Sequence, residues 1–416
     1  MTTFSPHAPS FHFGLLVWLA VSAATGQEFP LVHIRQASQS GKLIGLQKKQ
    51  QLVFHTDGQQ RVIPRANLVR FGHLPALPKS TCVVCTDGSL ISVDLDKLTP
   101  ESMSIRSSIW QPQSLSMEHV AGIVRTFPAQ QKQRDELIPT LVSQKGNRDI
   151  LRLENGDQIR GVFLSSRWLR RRSLRRLMVR LRLADSTTEL NFDQISWIRF
   201  NPTLVRQLAT NSERTLVGTR DGSQLNVKSW TTRGTMVELT LSCGLKLKLP
   251  KSKLSSSVVY IQPLGKHITY LSDLPPGGYR HIPFFNRAWK LGVDRCCSGD
   301  RLRDRKQRFL KGLGMHSYSL VTFSLDGRYK QFQAELAMDR SAGSQGSVVC
   351  MVLLNERKTG NTWRTSYTSP VIRGAQPARP IRLDVRGAQR MALIVNYADR
   401  GDQLDRVNWL DARLTR

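Results

Sequence analysis

The stretch ILRLENGDQIRGVFL, residues 150–164, decides how the chain is read. Two short apolar-rich runs flank Asn155-Gly156, a dipeptide suited to the positive φ angles of a tight hairpin. The stretch therefore reads as strand, turn, strand. The same pattern recurs on either side. Residues 31–46 read LVHIRQASQSGKLIGL, residues 83–95 VVCTDGSLISVDL and residues 215–230 TLVGTRDGSQLNVKSW, with Asp87-Gly88 and Asp221-Gly222 as the turns of the last two. Each is followed by a hairpin, a polar link and a β-branched run: QQLVFHTDGQQRVIPRANLVRFG, SLSMEHVAGIVRTF, LMVRLRLADSTTELNFDQISWIRF and MVELTLSCGLKLKLPKSKLSSSVVYIQ.

Helical periodicity is nearly absent, so the expected class is all-β. The units, about 45–50 residues each, suggest small SH3- or Sm-like β-barrels. One or two irregular sandwiches whose hairpins share turn chemistry would look similar. Pro-Thr-Leu-Val occurs at 139–142 and again at 202–205, each shortly before a further unit. The expected organisation is two small β units over 27–128, a linker or short helix over 129–149, two more units over 150–263 and a different β domain over 264–416. In that last region SLVTFSLDG, KQFQAELAMD, GSVVCMVLLNE, PIRLDVRG, RMALIVNYA and VNWLDARL are spaced as strands of a two-sheet jelly-roll sandwich.

The 416 residues carry 61 Lys+Arg and 31 Asp+Glu, a formal charge of +30. With 40% hydrophobic residues the chain has enough apolar content for packed cores, which excludes a wholly disordered polymer. The charge makes polyanions the first partners to consider. Residues 264–416 hold 26 basic and 13 acidic residues, so +13 lies there and +17 before it. The densest cluster is Arg167 to Arg182, with eight arginines in sixteen residues and no acid. Arg167, Arg170, Arg171, Arg172, Arg175 and Arg176 are its polyanion-binding candidates, because guanidinium groups pair bidentately with sulfate, phosphate or carboxylate. A solvated hairpin face would look the same.

Residues 11–24, FHFGLLVWLAVSAA, have the length of a signal-peptide core, and Ala24-Thr25-Gly26 before Gln27 fits cleavage, although no Lys or Arg precedes the run. The expectation is export to the periplasm, envelope or exterior. No transmembrane segment is expected in the mature chain, whose charge stays +30. For an exported protein, anionic glycans are favoured over nucleic acid. Cys82-Val-Val-Cys85 has CxxC spacing but lies in a strand pattern. Residues three apart on a strand point to opposite faces, so buried thiols are expected rather than a zinc pair. HExxH, GxSxG and P-loop patterns are missing, and a non-catalytic protein is expected.

The C-terminal region resembles the NPCBM/NEW2 family, carbohydrate-binding modules first noted beside family 98 glycosyl hydrolases. The matching pieces are Tyr270-Leu-Ser-Asp-Leu274, Lys311-Gly-Leu-Gly-Met-His316-Ser317, Leu325-Asp-Gly-Arg-Tyr-Lys330 with Phe332 and Ala334, Gly346-Ser-Val-Val, Leu383-Asp-Val-Arg-Gly387 and Asp405-Arg-Val-Asn-Trp409-Leu-Asp411-Ala-Arg-Leu414. The resemblance implies a jelly-roll sandwich that binds sugar, often galactose-type, commonly with a structural calcium. The layout is similar to exported proteins of planctomycete-type bacteria. Met315, Arg406-Val407-Asn408 and Asp339-Arg340 depart from the family pattern and remove two carboxylate positions.

Sugar binding needs an aromatic face for the pyranose and polar groups for its hydroxyls. His316, Tyr318, Asp405 and Trp409 are the candidates, although Trp409 lies in a strand pattern that favours core over ligand platform and His316 reads equally as a structural histidine. Asp399, Asp402 and Asp405 could gather oxygens for calcium. The expected function is an exported, non-catalytic glycan-binding protein. A cell-envelope assembly protein without sugar binding, or a glycoside hydrolase with a cryptic site, are the alternatives.

Overall fold

The structure, a computed structural model, describes residues 27–34, 38–143, 145–171, 174–206, 213–265, 268–284, 286–356, 362–399 and 401–416. The signal-like run lies outside them. The N-terminal part repeats one strand order four times. In the first unit the last strand, Leu68–Gly72, pairs with the first, Phe29–His33, followed across the sheet by Gln39–Gln47, Gln51–Thr56 and Gln59–Pro64. In the third unit the order is Ile195–Arg199, Asp149–Leu153, Gln158–Arg171, Leu174–Arg182 and Thr187–Asn191. The fourth is Val258–Leu264, Arg214–Thr219, Gln224–Arg233, Met236–Leu241 and Lys246–Pro250. The second keeps the order but breaks its second strand at Val93 into Leu90–Ser92 and Asp94–Leu98.

A helical turn precedes each last strand: Arg65–Asn67, Met117–His119, Phe192–Gln194 and Lys251–Ser257. The first turns are chemically alike. Asp87, Asn155 and Asp221 each accept the backbone N–H two residues on, beside glycines at φ of 78°, 97° and 90°. This is the local device by which short polar side chains close a turn.

The expected small barrels do not close. Their last strands instead pair across units, Tyr260 with Gly72 and Ile261 with Phe71, and Gly122, Ile123 and Val124 with Arg199, Ile198 and Trp197. A pairing of Gln224 with Leu90 connects these two pairs of units, so that eighteen strands join one sheet, with Ser102–Arg106 in a separate three-stranded one. Apolar residues of all four units share one core, from Phe29 to Ile261. A unit of about 50 residues buries too little apolar surface alone, and pairing supplies the rest. Gly72 permits the approach: a β-carbon there would stand 1.8 Å from the Val259 carbonyl oxygen.

The linker region forms a helix, Gln131–Val142, whose Leu137 and Leu141 pack with Cys82. Cys85 faces the main core instead, so the two CxxC thiols lie on opposite faces of their strand. Beyond residue 268 two six-stranded antiparallel sheets face each other across a second core built on Phe332, Val352, Leu393 and Trp409.

Candidate functional site

One end of the sandwich collects its unusual side chains. The strand Gly312–His316 ends there, and Ser319–Ser324 begins in the other sheet, leaving Ser317 and Tyr318 to cross the edge. Tyr318 makes this crossing at φ 55°, a conformation costly for a bulky residue. It is 47% exposed. Tyr397, at the end of Ala388–Tyr397, is 45% exposed, and its ring centroid lies 5.8 Å from that of Tyr318 at an angle of 51°. The two rings form an open, tilted aromatic face.

Two residues before Tyr318 in the chain, His316 belongs to a packed cluster. His316 is buried and its ring stacks on Trp289, centroids 4.8 Å apart and planes within 5°. His281 meets His316 edge-on at 5.6 Å, and its Nδ1 accepts the Trp289 backbone N–H. The Arg287 and Arg406 guanidiniums lie 4.1 and 5.2 Å from the Trp289 ring centroid. Burial, then the neighbouring His281, push His316 down to about 4, so its imidazole is neutral near pH 7. Asp405 is fully buried, and its Oδ1 accepts the Ser347 N–H at 2.8 Å. Burial pushes its carboxyl up to about 6.

Of the four sugar candidates, only Tyr318 presents an open surface. Trp409 is a correction: it is fully buried against Phe332, 6.4 Å between centroids, and cannot stack on a pyranose. The period-two alternation of its strand points it inward. His316 and Asp405 are buried and offer no open surface. Tyr397 and Trp289, two of the nine tryptophans and tyrosines that sequence offers as stacking candidates in this region, belong to the cluster, and so does His281, which sequence did not single out because nothing local ties it to a histidine 35 positions away.

The calcium residues do not fit. Asp399 is taken by a bidentate Arg373 pair at 2.8 Å, and Asp405 is buried and biased toward its neutral form. The oxygens of Asp399, Asp402 and Asp405 do not fall within 4.8 Å of one another as a set. Among the described residues the atoms that do are the Cys85 and Cys243 sulfurs with an Asp87 oxygen. The hydrogen bond to Cys243, then burial, raise the Cys85 thiol well above its ordinary value and keep it protonated. Asp87 meanwhile accepts the Ser89 and Cys243 backbone N–H groups.

In the arginine hairpin, acids absent from the local sequence arrive from elsewhere. Arg167 makes a bidentate pair with Glu189 at 2.7 and 2.8 Å. Arg175 lies 4.1 Å from the Trp168 ring centroid and 4.0 Å from Asp96. Arg170 and Arg176 are exposed and make no ion pair among the described residues. Arg172 and the side chain of Arg171 lie outside the described residues.

A two-sheet antiparallel sandwich is an architecture shared by many domains, carbohydrate-binding modules among them. Residues 268–415 match the NPCBM/NEW2 domain family, the one shown by the sequence motifs. Similar solved structures include CBM51-2 with INT domains from Clostridium perfringens ZmpB in complex with GlcNAc, at 22% identity and TM-score 0.31, covering 48% of this chain and 43% of that one. CBM51 from Clostridium perfringens GH95 in complex with methyl-galactose shows 21% identity and TM-score 0.31 over 36% of this chain and 99% of that one. The tandem CBM51 modules of a family 98 glycoside hydrolase from Streptococcus pneumoniae show 20% identity and TM-score 0.31, over 36% and 47%. The chain spans less than half of the ZmpB structure. No curated protein matches. No helix among the described residues is long and apolar enough to cross a membrane.

Proposed function

We propose that this is an exported, non-catalytic glycan-binding protein whose sandwich holds a saccharide on the Tyr318–Tyr397 face. The observation that carries the reading is Tyr318 itself, a bulky residue held half-exposed at φ 55° beside a second half-exposed tyrosine. Strained residues persist where the surroundings over-determine them, and they cluster at ligand sites. Aromatic rings accept the apolar face of a pyranose, and hydroxyls at the rim pair its polar edge. The Trp289–His316–His281 stack and buried Asp405 fix the loop ends from which the tyrosines project. The N-terminal units act as a scaffold joined rigidly to the sandwich. Full-length protein applied to an array of neutral glycans, with methyl-galactose and GlcNAc as soluble competitors, tests the reading. Retention by at least one glycan is expected, and retention by none refutes it. Release of reducing sugar from that glycan would refute the non-catalytic part.

A further inference from the structure

The two halves enclose a cleft of about 570 Å³. One wall comes from His73, Leu74 and the segment before the helix Gln131–Val142, the other from residues 301–308 of the sandwich. That second wall is a tight hairpin. Phe309 donates its N–H to the Leu302 carbonyl, Asp304 to that of Gln307, and Arg303 and Arg308 face each other in a bridge. Leu302 and Phe309 anchor the hairpin in a small core with Ala337 and Leu410. The alternation leaves Arg303 and Arg308 projecting from the opposite face.

The charge in this cleft is one-sided. Arg134, Arg303, Arg305, Lys306, Arg308 and Arg340 line it and make no ion pair among the described residues. The one acid in the lining among the described residues, Asp304, is buried and accepts the Lys306 and Gln307 backbone N–H groups at 2.7 Å. Arg303 Nε is buried without a hydrogen-bond partner. Burial, then repulsion from Arg303, Arg301 and Arg134, lowers Arg308 from its ordinary value. Like charges held this close destabilise the fold unless an anion enters.

We infer that this cleft between the repeat units and the sandwich is a binding site for an acidic oligosaccharide, whose sulfate or carboxylate groups pair with Arg303, Arg308 and their basic neighbours. Guanidinium forks suit planar and tetrahedral oxyanions bidentately. The volume falls in the range of about 300–1,000 Å³ typical of small-ligand sites and is too small for a duplex. Among the described residues Phe127 and His73 are the aromatic rings lining it, short of the stacked platform that single-stranded nucleic acid uses. The site shares no residue with the Tyr318–Tyr397 face, so either can fail alone.

The test is calorimetry of the full-length protein with a heparin-derived octasaccharide at about 50 and 200 mM salt. Binding that weakens steeply with salt is expected. Arg303→Ala/Arg308→Ala should weaken it at least about tenfold, with an unchanged or higher melting temperature because repulsion is relieved. Arg303→Lys/Arg308→Lys should recover part of the loss. Should the alanine pair fold poorly, Arg305→Glu at the exposed rim reads the same effect. Lys246→Ala/Lys248→Ala, which pair with Glu238 outside the cleft lining, should stay within about twofold. The inference is overturned if the octasaccharide does not bind, or if the cleft variants bind as the parent does. It is equally overturned if inorganic sulfate alone binds as tightly, or if polyphosphate or single-stranded DNA binds more tightly.

Discussion

Arg70 Nε lies 2.9 Å from Asp411 Oδ2, a contact that ties the first repeat to the last strand of the chain across 341 positions. Both side chains are buried. Arg70 also donates to Glu335 and to the Gly72 carbonyl, and stands 4.7 Å from the Phe309 ring centroid. Gln262 donates to Asp411 Oδ1 and to the Tyr270 hydroxyl, and Arg413 to Gln333, which in turn donates to the Ile34 carbonyl. Burial opposes the charge on Arg70, but Asp411 and Glu335 hold it charged. The two halves therefore meet through a buried, balanced polar network that fixes their relative placement.

Removing one partner strands the others. Arg70→Met should lower unfolding free energy by about 3–5 kcal/mol, and so should Asp411→Asn, which tolerates the φ of 46° at this position, because each leaves a buried charge uncompensated. The double variant should cost clearly less than the sum. Denaturant titrations of the three proteins check this, and strict additivity would show that the pair is not coupled.

Gly72 and Gly58 separate two reasons for glycine. Both have positive φ, 78° and 75°. A β-carbon at Gly58 would meet nothing within 4 Å, whereas at Gly72 it would strike the Val259 backbone. Gly58→Ala should cost about 1 kcal/mol from strain alone. Gly72→Ala should cost roughly 3 kcal/mol or more, because the pairing of the first and fourth units must open. Thermal melts of the two variants distinguish them, and equal shifts would contradict the inter-unit pairing.

The pH response follows from two opposed groups. His316 is lowered to about 4, so the unfolded chain binds its proton more readily, and stability is lost as pH falls from about 6.5 to 4. Asp405 is raised to about 6, so the folded state binds the extra proton, and stability is lost as pH rises from about 4 to 6. The two slopes nearly cancel in the parent. His316→Gln should therefore make stability fall with rising pH relative to the parent, and Asp405→Asn should make it fall with falling pH. Each slope amounts to at most about 3 kcal/mol across the window. Melting temperatures between pH 4 and 7 check the signs, and parallel curves for all three proteins would refute the two opposed shifts.

Trp409 gives a contrast with the tyrosines. Trp409→Ala should cost about 3–5 kcal/mol as a core truncation, while any remaining folded protein binds glycan as before. A loss of binding with unaltered stability would return Trp409 to the ligand face.

The strand order of the repeats was legible because turns are local: Asn155-Gly156 and its counterparts announce the opening hairpin of the last three units through side chains and backbone groups two residues apart. That the units share one core was not, since it depends on Gly72 meeting Val259 some 187 positions later. The sandwich was legible through its motifs, and Tyr318 and His316 were found with them. Their environment was hidden. Whether Trp409 faces core or solvent depends on which sheet face lies inside. Whether Asp399 can meet calcium depends on Arg373, and how much charge the arginine hairpin keeps depends on Glu189 and Asp96. The basic hairpin at 301–308 was diluted in a C-terminal charge of +13, because its effect arises only when the helix Gln131–Val142 closes the other wall.

The most direct measurement compares full-length parent protein with Tyr318→Ala/Tyr397→Ala in calorimetric titration with whichever array glycan the parent retains. The tyrosine-face account predicts at least a tenfold loss of affinity, about 1.4 kcal/mol or more, with the melting temperature preserved. Undiminished affinity in a folded double variant would contradict it.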